Sequence, residues 1–281
     1  MPPDFVTRFA PSPTGPLHLG HAYSAIMAHD RARAAGGAFL LRMEDTDAER
    51  SHLDFVAQIM DDLIWLGLTW EGPVHRQSNH IQAYNARLAP LSVRGLLYPC
   101  ACSRSDIRAA MSAPQEGVAF SIYSGTCRGR HMSTRRPEDA IRLDMTLALG
   151  ALSGADLSFC ETGPSHVGRH RVDPLLASDQ IGDVVLSRKG EDIVAYFLAS
   201  ALDDADQGIT HVIRGDDLFD FTQIQVILQR LLGLPTPIYH HHRLIRDDLG
   251  KRLAKRDDAR ALSKYRSEGA TPADIRAMVG L

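Results

Sequence analysis

His18 and His21 stand three residues apart in the run His18-Leu19-Gly20-His21, shortly after the turn-forming Pro11-Ser12-Pro13-Thr14-Gly15. On a helix that spacing puts two imidazoles on one face. Where such a helix begins, free backbone N–H groups and the positive end of the dipole favour phosphate oxygens beside them. Imidazoles there can donate to a pentacoordinate α-phosphate, and Gly20 has no side chain to keep an adenine or ribose off the backbone. Far down the chain, Gly250-Lys251-Arg252-Leu253-Ala254-Lys255-Arg256 gathers cations in a loop-like stretch. Lys255 could hold β- and γ-phosphates and stabilise departing pyrophosphate. An isolated HxxH also describes two surface histidines or half a metal site, but the Pro/Ser/Gly turn before it favours phosphate. No GxxxxGK[ST] segment offers a rival nucleotide site.

A second constellation reads Cys100-x-Cys102, a spacer of twenty residues, then Tyr123-xxx-Cys127-xxx-His131. Three thiols this close in a reducing compartment point to a metal. Ligand chemistry alone selects Cys100, Cys102, Cys127 and His131, because a phenol with a pKa of ~10 must lose its proton before it can compete with imidazole for zinc. Cys160 stands apart and reads as a small core residue. Arg128, Arg130, Arg135 and Arg136 follow the cluster with no acid among them. They form either a solvated face or a strip that grips phosphates.

These groups need elements to hold them. Phe5 to Ala10 reads as a strand, a helix follows from about His18 to Ala35, and Gly36-Gly37 stops it. Ala38 to Met43 is a second strand, leading to Glu44. Ser51 then caps an amphipathic helix through Phe55, Ile59, Leu63 and Leu66. Strand and helix alternating over short connections is the sequence form of a parallel sheet covered on both faces, with ligands beyond the carboxyl ends of its strands. Arg8 to Ser12 and Glu44 fall at such ends. Between about Tyr98 and Cys160 the alternation fails, as in an inserted module. It resumes with Ile193 to Leu202, a strand over Thr210 to Arg214, and a helix from Phe221 to Leu232 closed by Gly233. Thr271-Pro272-Ala273-Asp274 carries an N-cap, a first-position proline and an acid, so a short helix ends the sequence.

With 281 residues and 44% hydrophobic content, the chain can bury a real core in one large domain with an insertion, or in two domains. A net charge of −3 gives no general basic character, so any nucleic-acid contact must come from local clusters such as 128–136 and the mixed run 243–260. No apolar stretch reaches the ~20 residues of a membrane span, and Met1-Pro2-Pro3-Asp4 lacks the pattern of a secretory signal. The expected compartment is the cytoplasm.

The string RFAPSPTGPLHLGH together with the cationic loop resembles the two signatures of class I aminoacyl-tRNA synthetases, and narrows the resemblance to the glutamyl group. It covers nearly the whole chain. It implies an α/β fold: a Rossmann-like parallel sheet (1–97 and 161–235), an inserted zinc-bearing, tRNA-contacting module (98–160), and a small, mainly helical C-terminal segment with the cationic loop (236–281). It also implies an adenylate-forming ligase in which His18, His21 and Lys255 are catalytic, and His18, Gly20, His21, Arg252 and Lys255 bind ATP. Magnesium would arrive with ATP. Glutamate would lie against Arg8, Phe9, Ala10, Pro11, Ser12, Glu44, Tyr196 and Arg214. The guanidinium forks suit its side-chain carboxylate and Glu44 its ammonium. The family loop reads Lys-Leu-Ser-Lys where this chain has Arg252-Leu253-Ala254-Lys255. Charge is kept, but a hydroxyl that could bond phosphate is lost.

The cysteine pattern resembles the glutamyl-queuosine subgroup, which shows C-x-C, a spacer of this order, then Y-x-x-x-C. That resemblance makes Tyr123 the fourth ligand of one structural zinc with Cys100, Cys102 and Cys127. After the cationic loop about 25 residues remain, too few for helical anticodon-binding domains. The resemblance therefore implies a monomer that activates L-glutamate with ATP, without tRNA, and esterifies the queuosine base at the wobble position of tRNA(Asp). Two alternatives stay open on the residues themselves: a fragmentary glutamyl-tRNA synthetase that charges the tRNA 3′ end, and a catalytically silent binder of glutamate, ATP or tRNA.

Overall fold

The computed structural model describes residues 4–102, 123–188, 193–246 and 260–281, the side chains of Gln180 and Arg188 excepted. The expectations for Lys251, Arg252, Ala254 and Lys255 lie outside the described residues.

Parallel strands β1 (Val6–Phe9), β2 (Ala38–Met43) and β3 (His75–Arg76) form one sheet in the order β1-β2-β3. Helix Leu19–Ala34 crosses from β1 to β2. Its buried Ala22, Ala25 and Ile26 pack in one cluster with Phe39 and Leu41 of β2 and with Ile59 and Leu63 of helix Leu53–Trp65. Removal of each such Leu or Ile side chain from water contributes roughly 1.5–3 kcal/mol. Gly37 has to be glycine: a Cβ there would lie 2.1 Å from the Phe5 carbonyl oxygen at the entry to β1. The second helix differs from expectation at its start. His52 rather than Ser51 is the N-cap and makes no side-chain capping bond, while Asp47 Oδ1 accepts the Glu49 N–H in the preceding turn.

Strands β4 (Leu97–Cys100), β5 (Ala140–Leu143), β8 (Val185–Arg188) and β9 (Ile193–Val194) form a separate antiparallel sheet in that order. Strands β6 (Ser158–Glu161), β7 (Gly168–Arg171), β10 (His211–Gly215) and β11 (Ile238–His242) form a third, in the order β10-β11-β6-β7, parallel except for the β6–β7 hairpin. Thr210 donates its N–H to the Val6 carbonyl at 3.0 Å, so β10 lies alongside β1. The parallel strands thus run β3-β2-β1-β10-β11-β6, and the direction of winding reverses between β1 and β10. Helices Tyr196–Asp206 and Thr222–Leu232 pack on this half, the latter ended by Gly233 in the left-handed conformation (φ +66°). Helix Pro272–Val279 starts with the reciprocal Thr271–Asp274 capping box and buries Ile275 and Val279 against helix Leu19–Ala34. Cys160 is not a core residue: it lies on the exposed face of β6.

Candidate active site

In a doubly wound sheet, ligands bind beyond the carboxyl ends of the strands where the winding reverses. Here that point lies between β1, which carries Arg8, and β10, which carries Arg214. Phe9 is buried at the end of β1, Ala10 is half-buried and Pro11 buried. The Glu44 N–H donates to the Pro11 carbonyl at 3.0 Å, which locks the exit of β2 onto the exit of β1. Ser12 is exposed at the turn.

Arg8 is 4% exposed and is held from one side by Asp204, with Nε 2.8 Å from Oδ1 and Nη2 3.4 Å from Oδ2. Arg42, fully buried, donates Nη1 to the same Oδ1 at 2.9 Å and places Nη2 3.5 Å from Glu44. The Arg42 Nε and Nη2 atoms have no hydrogen-bond partner among the described residues. Burial raises the Glu44 carboxyl to about 7 against the lowering pull of Arg42 and Arg8. Burial also raises the Tyr196 phenol; Arg214 and Arg8 draw it down while Glu44 and Asp204 push it up. Arg8, Glu44, Tyr196 and Arg214, distant in sequence, are therefore brought close enough for Arg8, Arg214 and Glu44 all to act on the Tyr196 phenol.

Arg214, 6% exposed, is held by three side chains. Nε donates to His241 Nε2 at 2.9 Å, Nη1 to Gln225 Oε1 at 2.6 Å, and Nη2 to Thr222 Oγ1 at 2.8 Å. His241 in turn bonds Glu161 through Nδ1 at 2.5 Å. Burial alone would raise Glu161, but hydrogen bonds from the His241 side chain, the His241 backbone and the Gly163 backbone bring it down to about 2. Burial drives His241 down to about 4 despite that carboxylate.

The two histidines of the first motif cap their own helix. His18 Nδ1 accepts the Gly20 N–H at 3.1 Å and His21 Nδ1 accepts the His18 N–H at 3.2 Å, with the rings 3.8 Å apart. A backbone N–H can only donate, so both Nδ1 atoms present lone pairs and a neutral ring carries its proton on Nε2. Both imidazoles are thus Nε2–H donors, the form a phosphate oxygen requires. His18 also pairs with Ala261 in an antiparallel bridge, and Leu262 N–H donates to the Leu17 carbonyl at 2.8 Å. The chain that leaves the cationic segment is therefore stitched to the HLGH motif.

In the inserted region, the sulfurs of Cys100, Cys102 and Cys127 lie within 4.8 Å of one another and could hold a metal ion. The Cys102–Cys127 separation of 4.0 Å is close to the ~3.8 Å expected across a tetrahedral Zn–S site with ~2.3 Å bonds. Tyr123 Oη lies 3.6 and 3.5 Å from the sulfurs of Cys100 and Cys102. His131 turns away, its Nδ1 engaged with Ser133 Oγ at 2.7 Å. Arg142 packs over the Tyr123 ring at 3.8 Å and donates to Cys100 Sγ at 3.3 Å. Burial opposes the Cys100 thiolate, yet this cation and neighbouring hydrogen bonds bring the thiol below its ordinary range. Arg128 and Arg130 do not lie free on the surface: they pair with the buried Asp183 and Asp139 at 2.8 and 2.7 Å.

The sequence reading did not single out Asp204, Arg42, Glu161, His241, Gln225 or Thr222. Asp203-Asp204 beside Tyr196 was the available signal, since two adjacent acids on an otherwise apolar helix need cationic partners.

Comparison with known proteins identifies the family. The family of tRNA synthetases class I (E and Q), catalytic domain, matches residues 4–281. A Glutamyl-Q tRNA(Asp) synthetase of Rhodobacter capsulatus is 57% identical over 98% of this chain and 100% of its own length. Another, from Symbiobacterium thermophilum, is 40% identical over 95% of this chain and 83% of its own. Among solved structures, a glutamate tRNA ligase from Elizabethkingia meningosepticum in complex with its amino acid superposes with a TM-score of 0.74 at 28% identity. That match covers 98% of this chain, which spans 60% of that structure. A methionyl-tRNA synthetase of Mycobacterium tuberculosis, at 13% identity and a TM-score of 0.63, shares the fold. The chain belongs to the class I tRNA synthetases of the E and Q group.

Proposed function

We propose that the chain activates L-glutamate with ATP, in the absence of tRNA, and transfers it to the queuosine base at the wobble position of tRNA(Asp). The observation that carries the first half is the cluster at the β1/β10 reversal, where the guanidinium groups of Arg8 and Arg214 suit the side-chain carboxylate of glutamate and Glu44 suits its ammonium. The acceptor follows from the Glutamyl-Q tRNA(Asp) synthetases that the chain matches over most of their length. Arg8 and Arg214 bind the side-chain carboxylate, Glu44 takes the ammonium, and Tyr196 and the Phe9–Ser12 turn close the pocket. The α-carboxylate attacks the α-phosphorus of ATP while His18 and His21 donate from Nε2 to its oxygens. Gly20 admits the nucleotide, and Lys255 and Arg252 steady pyrophosphate, with magnesium on the phosphates.

Zinc, held by Cys100, Cys102, Cys127 and Tyr123, would supply a structural cross-link with no open position for water. It would order the inserted unit 98–160 against the catalytic parts 1–97 and 161–235, with 236–281 carrying the cationic loop. The basic strip of Arg128, Arg130, Arg135 and Arg136 would supply phosphate contacts, with Arg128 and Arg130 oriented by Asp183 and Asp139. The enzyme works as a cytoplasmic monomer. The test is ATP–pyrophosphate exchange: robust glutamate-dependent exchange without tRNA is expected. Exchange only with tRNA(Glu) would point to a 3′-end-charging synthetase, and no exchange under any condition to a silent binder.

A further inference from the structure

Three neighbouring strands carry one buried line of side chains. In the parallel register, Arg214 of β10 faces His241 of β11, and Tyr239 of β11 faces Glu161 of β6. The side chains complete the line: Glu161 Oε2 meets His241 Nδ1 at 2.5 Å, and His241 Nε2 meets Arg214 Nε at 2.9 Å. Glu161 and His241 are 2% and 1% exposed. A guanidinium has N–H groups and no acceptor, so His241 Nε2 must present its lone pair and Nδ1 must carry the proton. The imidazole therefore stands in one defined tautomer, accepting from Arg214 and donating to Glu161.

The rest of the surroundings fix that arrangement. Glu161 Oε1 accepts the backbone N–H groups of His241 at 2.9 Å and Gly163 at 2.5 Å. Gly163 cannot carry a side chain: a Cβ would fall 2.1 Å from the His241 carbonyl oxygen and 2.7 Å from Glu161 Oε1. The imidazole lies parallel to the Tyr239 ring at 5.9 Å, with Phe219 edge-on at 5.4 Å. Thr222 Oγ1 sits 3.4 Å from His241 Nε2 and accepts Arg214 Nη2 at 2.8 Å, so His241 and Thr222 together occupy the Nε/Nη2 side of the guanidinium.

We infer that Glu161 and His241 are positioning residues for glutamate recognition: neither touches substrate, and together they aim the Arg214 guanidinium at the side-chain carboxylate. This inference rests on the proposed glutamate-activating function and adds to it a determinant on a strand that contributes no group to the pocket. It also gives the β6–β7 hairpin a task, because the carboxylate that sets the tautomer enters from there. The isosteric change Glu161→Gln is the sharpest probe. Its amide facing Nδ1 pushes the proton to Nε2, which then meets the Arg214 Nε–H donor against donor.

The experiment is glutamate-dependent ATP–pyrophosphate exchange on the full chain, with KM for glutamate and for ATP measured separately in wild type, Glu161→Gln, His241→Leu and His241→Gln. Glu161→Gln and His241→Leu should each raise KM for glutamate by about tenfold or more, with KM for ATP and kcat within about twofold, since an aimed ground-state contact is lost. His241→Gln, whose amide oxygen can again accept from Arg214, should recover most of the loss. Thermal melts identify any variant that fails to fold, and Glu161→Gln, which changes no volume, then decides alone. Unchanged KM for glutamate in a folded Glu161→Gln protein, or equal rises in both KM values, overturns the relay while leaving the function intact. Absence of glutamate-dependent exchange in wild type overturns the functional reading and the relay with it.

Discussion

Asp204 grips Arg8 along one edge, with Nε–H donating to Oδ1 at 2.8 Å and Nη2 lying 3.4 Å from Oδ2. The Nε side of the guanidinium is thereby committed to the protein, and its Nη1/Nη2 edge is left to meet a carboxylate end-on. The same Asp204 Oδ1 accepts from Arg42 Nη1 at 2.9 Å, so one carboxylate orders two cations.

Asp204→Asn should therefore act on glutamate rather than on ATP. We expect KM for glutamate to rise by about tenfold or more with KM for ATP little changed. Loss of about 3 kcal/mol of stability should accompany it, as when one partner of a buried ion pair is removed. Steady-state exchange kinetics and denaturant melts check both; parallel changes in the two KM values would remove Asp204 from this role.

Glu44 gives the reaction a pH dependence whose sign is fixed. Burial raises its carboxyl to about 7, and only the anion can take the substrate ammonium. KM for glutamate should fall by about tenfold from pH 6 to pH 8, and Glu44→Gln should be weak and flat across that range. Stability runs the other way. A carboxyl raised on folding stabilises below its unfolded value and loses that contribution as pH rises through about 7. Glu44→Gln should thus melt above wild type at pH 8, with the gap closing as pH falls toward 4.5. A flat wild-type profile would contradict the assignment.

His18 and His21 present Nε2–H donors because their Nδ1 atoms are occupied by backbone N–H groups. His21→Ala should lower the exchange rate by more than tenfold, ~1.4 kcal/mol, while changing ATP affinity less. A rate within about twofold of wild type would place transition-state stabilisation elsewhere.

Metal analysis should find about one zinc per chain. Cys127→Ser and Tyr123→Phe should lose it and His131→Ala should keep it, given the Tyr123 Oη contacts at 3.5 and 3.6 Å and the engagement of His131 with Ser133. Loss of zinc in His131→Ala with retention in Tyr123→Phe would reverse the choice of fourth ligand.

What was legible in the sequence was local. The run Ala38–Met43 is the strand its apolar residues announce, and Thr271-Pro272-Ala273-Asp274 builds the capping box its residue types require. The proposed site follows from strand ends alone, because parallel strands bring all their carboxyl ends to one edge. The partners that tune it were not legible, since Arg8 and Asp204 are 196 residues apart and Glu161 and His241 are 80 apart. The same reason explains the basic strip. Arg128 is exposed as its neighbours suggest, but the buried acid it pairs with, Asp183, is 55 residues away.

The central claim concerns the acceptor, and one labelling experiment bears on it most directly. Radiolabelled glutamate and ATP are offered with tRNA(Asp) that carries queuosine, with the same tRNA lacking it, and with modified tRNA truncated of its 3′ adenosine. Truncation is preferable to periodate, which also destroys the cyclopentene diol that supplies the nucleophile. The account predicts label on both queuosine-bearing tRNAs, truncated or not, and none on the unmodified one. Label on unmodified tRNA, or its loss when only the 3′ adenosine is removed, would contradict it and point to charging at the 3′ end.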